Sequence, residues 1–212
     1  YTAGGSKLFR VGGVIGDTFA GEGIEVFDTS VKNLQMGSST YPLEADSIGG
    51  LVGHFTGASE TRLHKVHSDG EIHTVLGQAG GIIGWNAGGE IMDATSSVYL
   101  NANSKVGGIV GFSDFAADGQ TMNNHFVRYT GKIECENSCG GIIGEHGVIS
   151  ATLSGPTTLS LAGAVSQPSI IYDRSTDGAG NMGGFIGRAG GDANTVLNVS
   201  EAHFNSTLDS ED

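Results

Sequence analysis

The sequence predicts an all-β protein and, within that class, a β-solenoid (parallel β-helix) of about six coils. Three observations predict this fold. A glycine-rich phrase returns six times, the stretches between its copies alternate apolar with polar residues, and turn residues separate those stretches. A phrase that returns at roughly 20 to 50 residues is typical of repeat proteins, whose neighbouring repeats stack on one another.

The repeated phrase consists of two glycines, two bulky apolar residues and a third glycine. Its intervals range from 27 residues, between Gly80 and Gly107, to 43 residues, between Gly140 and Gly183, so the repeats carry insertions of different length. The copies are VGGVIG (11–16), IGGLVG (48–53), AGGIIG (79–84), VGGIVG (106–111), CGGIIG (139–144) and MGGFIG (182–187).

The shortest repeat, 79–105, shows the plan of one coil. GGIIG is interpreted as one short strand, WNAGG and NANSK as turns, and EIMDA and SSVYLN as half-buried strands. Longer repeats place turns at Asp69-Gly70 and Thr130-Gly131. Stacked at about 4.8 Å per strand, six coils rise about 29 Å, and right-handed connections are expected. A glycine-rich β-sandwich built from hairpins is the alternative.

The whole chain, 1–212, is predicted to be a single solenoid domain. The stretch NTVLNVSEAHFNSTL would complete the final coil, while 1–10 and 201–212 could instead be extended arms that add a strand to a neighbour. The sequence contains no apolar run of 18 residues and begins at Tyr1 rather than Met. Together these features favour a processed, secreted chain without membrane insertion.

The formal net charge of −13 argues against nucleic acid and anionic membranes as partners. Glycine is the compositional outlier, with 37 residues, but no Gly-X-Y period indicates collagen. Only three prolines occur, and 38% of the residues are hydrophobic, which is enough to form a core.

Stacking of the coils aligns the two apolar residues of each phrase into two ladders. Because side chains alternate faces along a strand, one ladder should fill the core and the other should face outward. The outer ladder would be covered by the chain's own insertions or by another subunit. The first ladder is Val14, Leu51, Ile82, Ile109, Ile142 and Phe185, and the second is Ile15, Val52, Ile83, Val110, Ile143 and Ile186.

The paired glycines are predicted to let a neighbouring backbone approach closely, because they carry no side chain. They are Gly12, Gly13, Gly49, Gly50, Gly80, Gly81, Gly107, Gly108, Gly140, Gly141, Gly183 and Gly184.

The two cysteines of the chain, Cys135 and Cys139, lie in CENSC. A turn at Glu136-Asn137-Ser138 would bring their Cα atoms within the roughly 7 Å that a disulfide requires. Free thiols and a metal site are the alternatives, although two ligands make a poor zinc site.

The polar residues do not indicate an enzyme, a cofactor or a metal. His64 and His67 are expected to face opposite sides of a strand, and the histidines are interpreted as solvated. The best cation candidate is FSDFAADGQ (112–120). The carboxylates considered for catalysis, which mostly sit in turn sequences, are Asp17, Asp28, Asp69, Asp93, Asp114 and Asp118.

Two sequons, at Asn198 and Asn205, are acceptor sites in a host that glycosylates. Ice binding usually requires a regular ladder of small polar residues, whereas the regular ladders here are glycine and aliphatic residues.

The stretch GGIIGWNAGGEIMDATSS, followed by VGGIVG, resembles the GLUG repeat of bacterial surface proteins. This resemblance implies an extracellular location at the cell surface and a structural or accessory role. Together with the repeat pattern it leads to the expectation of a self-assembling subunit of a surface filament or appendage, whose partner is itself. The alternatives are an adhesin segment, a glycan- or ice-binding module, and a polysaccharide-active β-helix enzyme.

Overall fold

A computed structural model of the chain describes residues 8–18, 23–56, 61–115, 119–147, 155–173, 180–190 and 195–211. Strands are the regular structure of these ranges, and every strand pairing within them is parallel. The predicted β-solenoid is therefore confirmed, and the sandwich of antiparallel hairpins is excluded for this part of the chain.

The strands form three sheets, each of which runs from one end of the solenoid to the other. Sheet A contains β1 (Leu8–Gly12), β4 (Ala45–Gly49), β7 (Gln78–Gly80), β11 (Lys105–Gly107), β16 (Ser138–Gly140) and β21 (Asn181–Gly183). Sheet B contains β2 (Ile15–Asp17), β5 (Val52–Thr56), β8 (Ile83–Ala87), β12 (Val110–Asp114), β17 (Ile143–Gly147) and β22 (Ile186–Ala189).

Sheet C is the longest wall of each coil and is divided into shorter strands after the second coil. It contains β3 (Glu25–Met36), β6 (Arg62–Thr74), β9 (Glu90–Ser96), β10 (Tyr99–Ala102), β13 (Thr121–His125), β14 (Arg128–Tyr129), β15 (Lys132–Cys135), β18 (Thr157–Ala162), β19 (Val165–Ser166), β20 (Ser169–Asp173), β23 (Thr195–Ser200), β24 (His203–Phe204) and β25 (Thr207–Glu211).

Each coil passes through sheets A, B and C in that order. The coils are β1–β3, β4–β6, β7–β10, β11–β15, β16–β20 and β21–β25. Because both sheet A and sheet B take one strand from each coil, the predicted number of six coils is confirmed.

The glycine phrase forms the corner between sheets A and B rather than one strand, so that prediction was wrong. In the second coil, β4 ends at Gly49, the backbone bends at Gly50 and Leu51, and β5 begins at Val52. A bend inside the phrase breaks the alternation of faces on which the prediction of an inner and an outer ladder rested.

At this corner the backbones of sheets A and B touch. A Cβ atom on Gly80 of β7 would lie 2.7 Å from the Gly111 nitrogen of β12, and a Cβ on Gly111 would lie 2.7 Å from the backbone of Ala79. Real side-chain atoms do not approach backbone atoms this closely, so the first and third glycines of the phrase are required by space. Sheets A and B therefore form a narrow wedge whose inner faces are packed backbone to backbone.

The second glycine places the tip of the wedge against the middle of sheet C. A Cβ on Gly50 would lie 3.0 Å from the Cβ of Ser68, and one on Gly81 would lie 3.0 Å from the Cβ of Ser96. The Ser68 hydroxyl donates a 2.5 Å hydrogen bond to the Gly81 carbonyl. Small serines in sheet C thus fit under the wedge and satisfy its backbone.

Both ladders lie inside the molecule in the four central coils, where the relative exposure of their residues is 0%. The prediction that the chain itself covers both ladders is therefore correct for these coils, and no second subunit is needed to bury them. Full burial of such a side chain contributes roughly 1.5–3 kcal/mol. The buried members are Leu51, Ile82, Ile109, Ile142, Val52, Ile83, Val110 and Ile143.

Sheet C turns a corner in every coil at one residue with positive φ. Left-handed backbone is uncommon outside glycine, so its recurrence at the same register position of every coil shows that the coils share one bend. The residues are Asp28 (φ 49°), Lys65 (55°), Asp93 (52°), Phe126 (53°), Gly163 (62°) and Glu201 (51°).

The predicted disulfide between Cys135 and Cys139 is confirmed, with Cα atoms 6.1 Å apart. It spans the bend at Glu136 and Asn137 that connects β15 to β16, and both cysteines are buried. The disulfide therefore links the end of sheet C in the fourth coil to the start of sheet A in the fifth.

The segments at the two ends of the chain belong to coils where they are described, in place of the predicted arms. Leu8–Gly12 is β1, and Thr207–Glu211 pairs residue by residue with Ser169–Asp173. Residues 1–7 and 212 of the predicted arms lie outside the described residues. The described part of NTVLNVSEAHFNSTL, 195–208, forms β23, β24 and the start of β25, so the prediction that it completes the final coil is confirmed.

The close contact at the wedge makes a direct prediction for Gly107. We expect Gly107→Ala to lower the free energy of unfolding by on the order of 3 kcal/mol or more, because its Cβ would meet the Ile142 carbonyl oxygen at 2.8 Å and the Gly144 nitrogen still closer. Urea unfolding followed by circular dichroism measures the loss. The matched control is Gly190→Ala, where the nearest atom is 3.6 Å away. Equal stability of the two variants would contradict the close packing.

The disulfide can be removed by replacing each cysteine with the residue that the neighbouring coil has at the aligned position. Ala102 and Val106 occupy the positions aligned with Cys135 and Cys139. We expect the double variant Cys135→Ala/Cys139→Val to fold and to lose about 2 kcal/mol of unfolding free energy, since the bond closes only a short loop. Chemical denaturation under non-reducing conditions measures this, and a variant as stable as the parent protein would show that the bond adds nothing.

Candidate assembly surfaces at the two ends of the solenoid

The first coil exposes apolar positions that are buried one coil further in. Val14, at the corner of coil 1, is 49% exposed, whereas Leu51, the next residue of the same ladder, is 0% exposed. Ile15 is half-buried, whereas its register partner Val52 is buried. The first end is thus open at the corner between sheets A and B, whereas Val26 and Met36 in sheet C of the same coil are buried.

The last coil exposes the opposite section. Val199 is 47% exposed, while Leu161, its register partner in the preceding coil, is fully buried. Leu197 and its partner Leu159 show the same contrast, and Phe204 is also exposed. Phe185 and Ile186 of the two predicted ladders are only half-buried. Both ends of the described stack therefore present apolar rungs.

The backbone at the corners follows one rule from coil to coil. The amides of Leu51 and Val52 both donate to the Ile82 carbonyl, at 3.0 Å each, and those of Ile142 and Ile143 both donate to the Phe185 carbonyl. Phe185 and Ile186 occupy the donor positions of coil 6, and no coil follows it among the described residues. An open row of sheet-edge donors is a template for pairing with another chain.

Charged clusters lie at the two ends of sheet B. In coil 1, Asp17 accepts from Arg10 and lies 2.9 Å from His54 Nδ1. In coil 6, the Arg188 guanidinium is 3.6 Å from Glu145, and its side chain is 61% exposed. Lys105 also contacts Glu145, at 3.1 Å. The first end thus carries the Asp17 carboxylate paired with the Arg10 guanidinium, and the last end carries the exposed Arg188 guanidinium.

The burial of the predicted paired glycines depends on the coil in which they lie. In the central coils they are buried, while Gly12, Gly13, Gly183 and Gly184 lie in the terminal coils and are more accessible. The Phe204 ring packs on Gly184, where an added Cβ atom would lie 2.6 Å from the ring. The two sequon residues, Asn198 and Asn205, are exposed and also belong to the last coil.

The histidines were only partly predicted. His64 and His67 both lie on the outer surface instead of on opposite faces, because the left-handed Lys65 between them interrupts the strand alternation. They contact Asp93 and Thr95, at 2.9 Å and 2.8 Å. His54, His73 and His146 are buried, so the interpretation of solvated histidines was wrong for them. Their positions inside a coil carried no periodic signal in the sequence.

The candidate catalytic carboxylates do not converge. Asp28 and Asp93 occupy sheet C bends, and Asp69 accepts from the Asn33 amide, a bond that lowers the pKa of its exposed carboxyl. The buried Asp114 carboxylate accepts a 2.6 Å hydrogen bond from the Trp85 indole N–H, and burial raises the pKa of Asp114. Asp118, and with it part of the FSDFAADGQ candidate, lies outside the described residues.

In sheet B, Asp17, His54 and Thr56 bring a carboxylate, an imidazole and a hydroxyl together. The Thr56 hydroxyl lies 3.3 Å and 3.4 Å from the two ring nitrogens of His54, so it aligns with neither lone pair. Burial lowers the pKa of His54, and the Arg10 charge lowers it further. The contact joins the first coil to the second.

Among the described residues, no group of three or more histidine, cysteine, aspartate or glutamate side chains could hold a metal ion. None of the described segments is a helix of the length and apolarity that crossing a membrane requires.

Comparison of the chain with protein-family models, with curated proteins and with solved structures finds no match.

Burial of His146 generates a prediction about pH. Burial lowers its pKa from 6.5 to about 4, while its Nδ1 contacts the Ser113 hydroxyl at 2.8 Å. Between these two pKa values the unfolded chain binds more protons than the folded one. The free energy of unfolding should therefore fall by about 3 kcal/mol as the pH drops from about 6.5 to about 4.

The variant His146→Asn isolates this contribution. Its side-chain amide can still hydrogen-bond to Ser113 but does not titrate, so its unfolding free energy should depend less on pH across this window. The raised pKa of Asp114 acts in the opposite direction in both proteins and cancels in the difference. Urea unfolding at a series of pH values is the measurement, and parallel pH profiles would overturn the assignment.

Proposed function

We propose that the protein is a structural, extracellular β-solenoid of the GLUG-repeat kind, and that its copies assemble end to end into a surface filament or appendage. The exposed rungs at the two ends carry this proposal. Val199 is 47% exposed where Leu161, its neighbour one coil inward, is 0% exposed. Stacking another coil on this surface buries the apolar area and pairs the open sheet edges at the same time.

The interior supports a structural role. Glycine contacts, aliphatic ladders, short serine side chains and buried aromatic rings such as that of Tyr129 account for the packing between the walls. The disulfide adds a covalent link that suits an oxidising exterior. A rigid rod with similar open ends is the form that a filament subunit requires.

Other functions have weaker support. An adhesin segment that spaces a binding tip uses the same rod without self-assembly. A polysaccharide-active enzyme needs carboxylates that converge in a groove, whereas Asp28 and Asp93 occupy the same bend two coils apart, with Lys65 between them. A glycan- or ice-binding module would use the outer face of a wall, and the apolar ladders are turned inward.

The proposal is tested by electron microscopy and sedimentation velocity of the intact chain at rising concentration. We expect filaments whose axial repeat is near the roughly 29 Å height of six coils. Val199→Glu should raise the critical concentration about tenfold or more, because an unpaired carboxylate in the interface costs more than about 1.4 kcal/mol.

The matched control is Val75→Glu, which adds the same charge at a 37% exposed position away from both ends. It should assemble like the parent chain. Thermal melting of both variants checks that the subunits remain folded. A parent chain that stays monomeric at all concentrations overturns the proposed function.

A further inference from the structure

We propose that two copies join with fixed polarity and register, so that the first coil of one copy continues every ladder of the last coil of another without offset. This inference rests on the proposed end-to-end assembly and defines its partner surface. The side chains of Arg188 and of the next copy's Asp17 would then be neighbours.

The ladder on sheet B carries the charge argument. It runs through consecutive coils from Asp17 at the first end to Arg188 at the last. Its members, aligned by strand register, are Asp17, His54, Trp85, Phe112, Glu145 and Arg188. Adjacent members already pair, since His54 lies 2.9 Å from Asp17 and Arg188 lies 3.6 Å from Glu145.

One further step of this ladder brings the exposed Arg188 guanidinium over an acidic group. A guanidinium has five donors, and a carboxylate accepts at two oxygens, so both can keep their present partners. The side chain of Asp17 is 25% exposed and remains accessible from the open end. The new ion pair links two subunits.

Other arrangements are disfavoured by the same residues. A contact between two first coils or between two last coils would not continue the ladders, and it would not bring Arg188 next to Asp17. A shift of two residues along the strands would place Arg188 over Ile15 and leave Asp17 opposite Gly190. Opposite charges align only when the first coil meets the last coil in register.

The apolar and backbone ladders agree with this register. The ladder Leu63, Ile91, Asn124, Leu161 and Val199 begins at Val26, so Val199 would contact the next copy's Val26. The ladder that contains Ser68, Ser96, Tyr129 and Ser166 begins at Val31 and ends at Phe204. At the corner, the Phe185 and Ile186 amides would donate to the next copy's Val14 carbonyl, as in every earlier coil.

A charge exchange tests the proposal. Arg188→Asp and Asp17→Arg should each raise the critical concentration about tenfold or more, because each variant brings like charges together with its own copies. An equimolar mixture should recover assembly, because each open end then meets an opposite charge only on the other variant. The mixed filament would alternate strictly between the two chains.

The outcomes separate the two proposals. If the parent chain forms no filaments, the proposed function itself fails. If the parent chain and both single variants assemble equally well, end-to-end assembly stands and the register is wrong. Two blocked variants whose mixture stays unassembled also overturn the register. Melting curves identify a variant that fails to fold.

A second measurement does not disturb the charges. Phe27 and Ser200 begin and end one ladder, and both are exposed. In the chain Phe27→Cys/Ser200→Cys, the two sulfurs of one copy are separated by five coil steps, about 24 Å. Across the proposed junction their Cα atoms are about 4.8 Å apart, within disulfide range.

Mild oxidation of assembled protein should therefore give a covalent ladder on a non-reducing gel. The control chain Ser30→Cys/Ser200→Cys moves one cysteine three residues along the strand, about 10 Å away, and should give little or no ladder. Equal cross-linking of the two chains, or cross-linking of the control alone, would overturn the register.

Discussion

The contact between the backbones of sheets A and B is the constraint on which the structure depends. In coils 2 to 6 the first and third glycines of the phrase leave no room for a Cβ atom, so the two sheets meet as a narrow wedge. The second glycine lets the tip of the wedge touch the serines of sheet C. Because the wedge divides the interior, apolar residues on both sides of the corner are buried by the same chain. The two-sided apolar character of the phrase follows from this geometry.

The wedge also explains why the ends of the solenoid expose apolar residues and corner amides. Every coil uses the next coil to satisfy its corner amides and to cover its two ladder residues. The terminal coils have the same design but lack a described neighbour on one side, and their rungs are correspondingly exposed. A fold that stabilises each layer through the next one extends naturally by adding another layer of the same kind.

The sequence was sufficient to predict the solenoid, the number of coils, the disulfide and the residues of the central ladders, because each depends on a repeated or local pattern. It was not sufficient for the corner inside the phrase, since GGIIG permits both a strand and a bend. Lys65 shows a second limit. A left-handed residue in a strand has no sequence signature, and it turned His64 and His67 to the same surface. The burial of His146, and the relation between Arg188 and Asp17, depend on the register of distant strands, which only the structure provides.

Amide hydrogen exchange measured by NMR on the monomeric chain tests the wedge most directly. The amides of Val52, Ile83, Val110 and Ile143 donate at the corners and lie behind the glycine contact. If the wedge holds the coils together, these four amides should exchange only through global unfolding and be among the slowest in the protein. Exchange of these amides through local opening, at rates matching the edge strands of the terminal coils, would contradict the central role of the wedge.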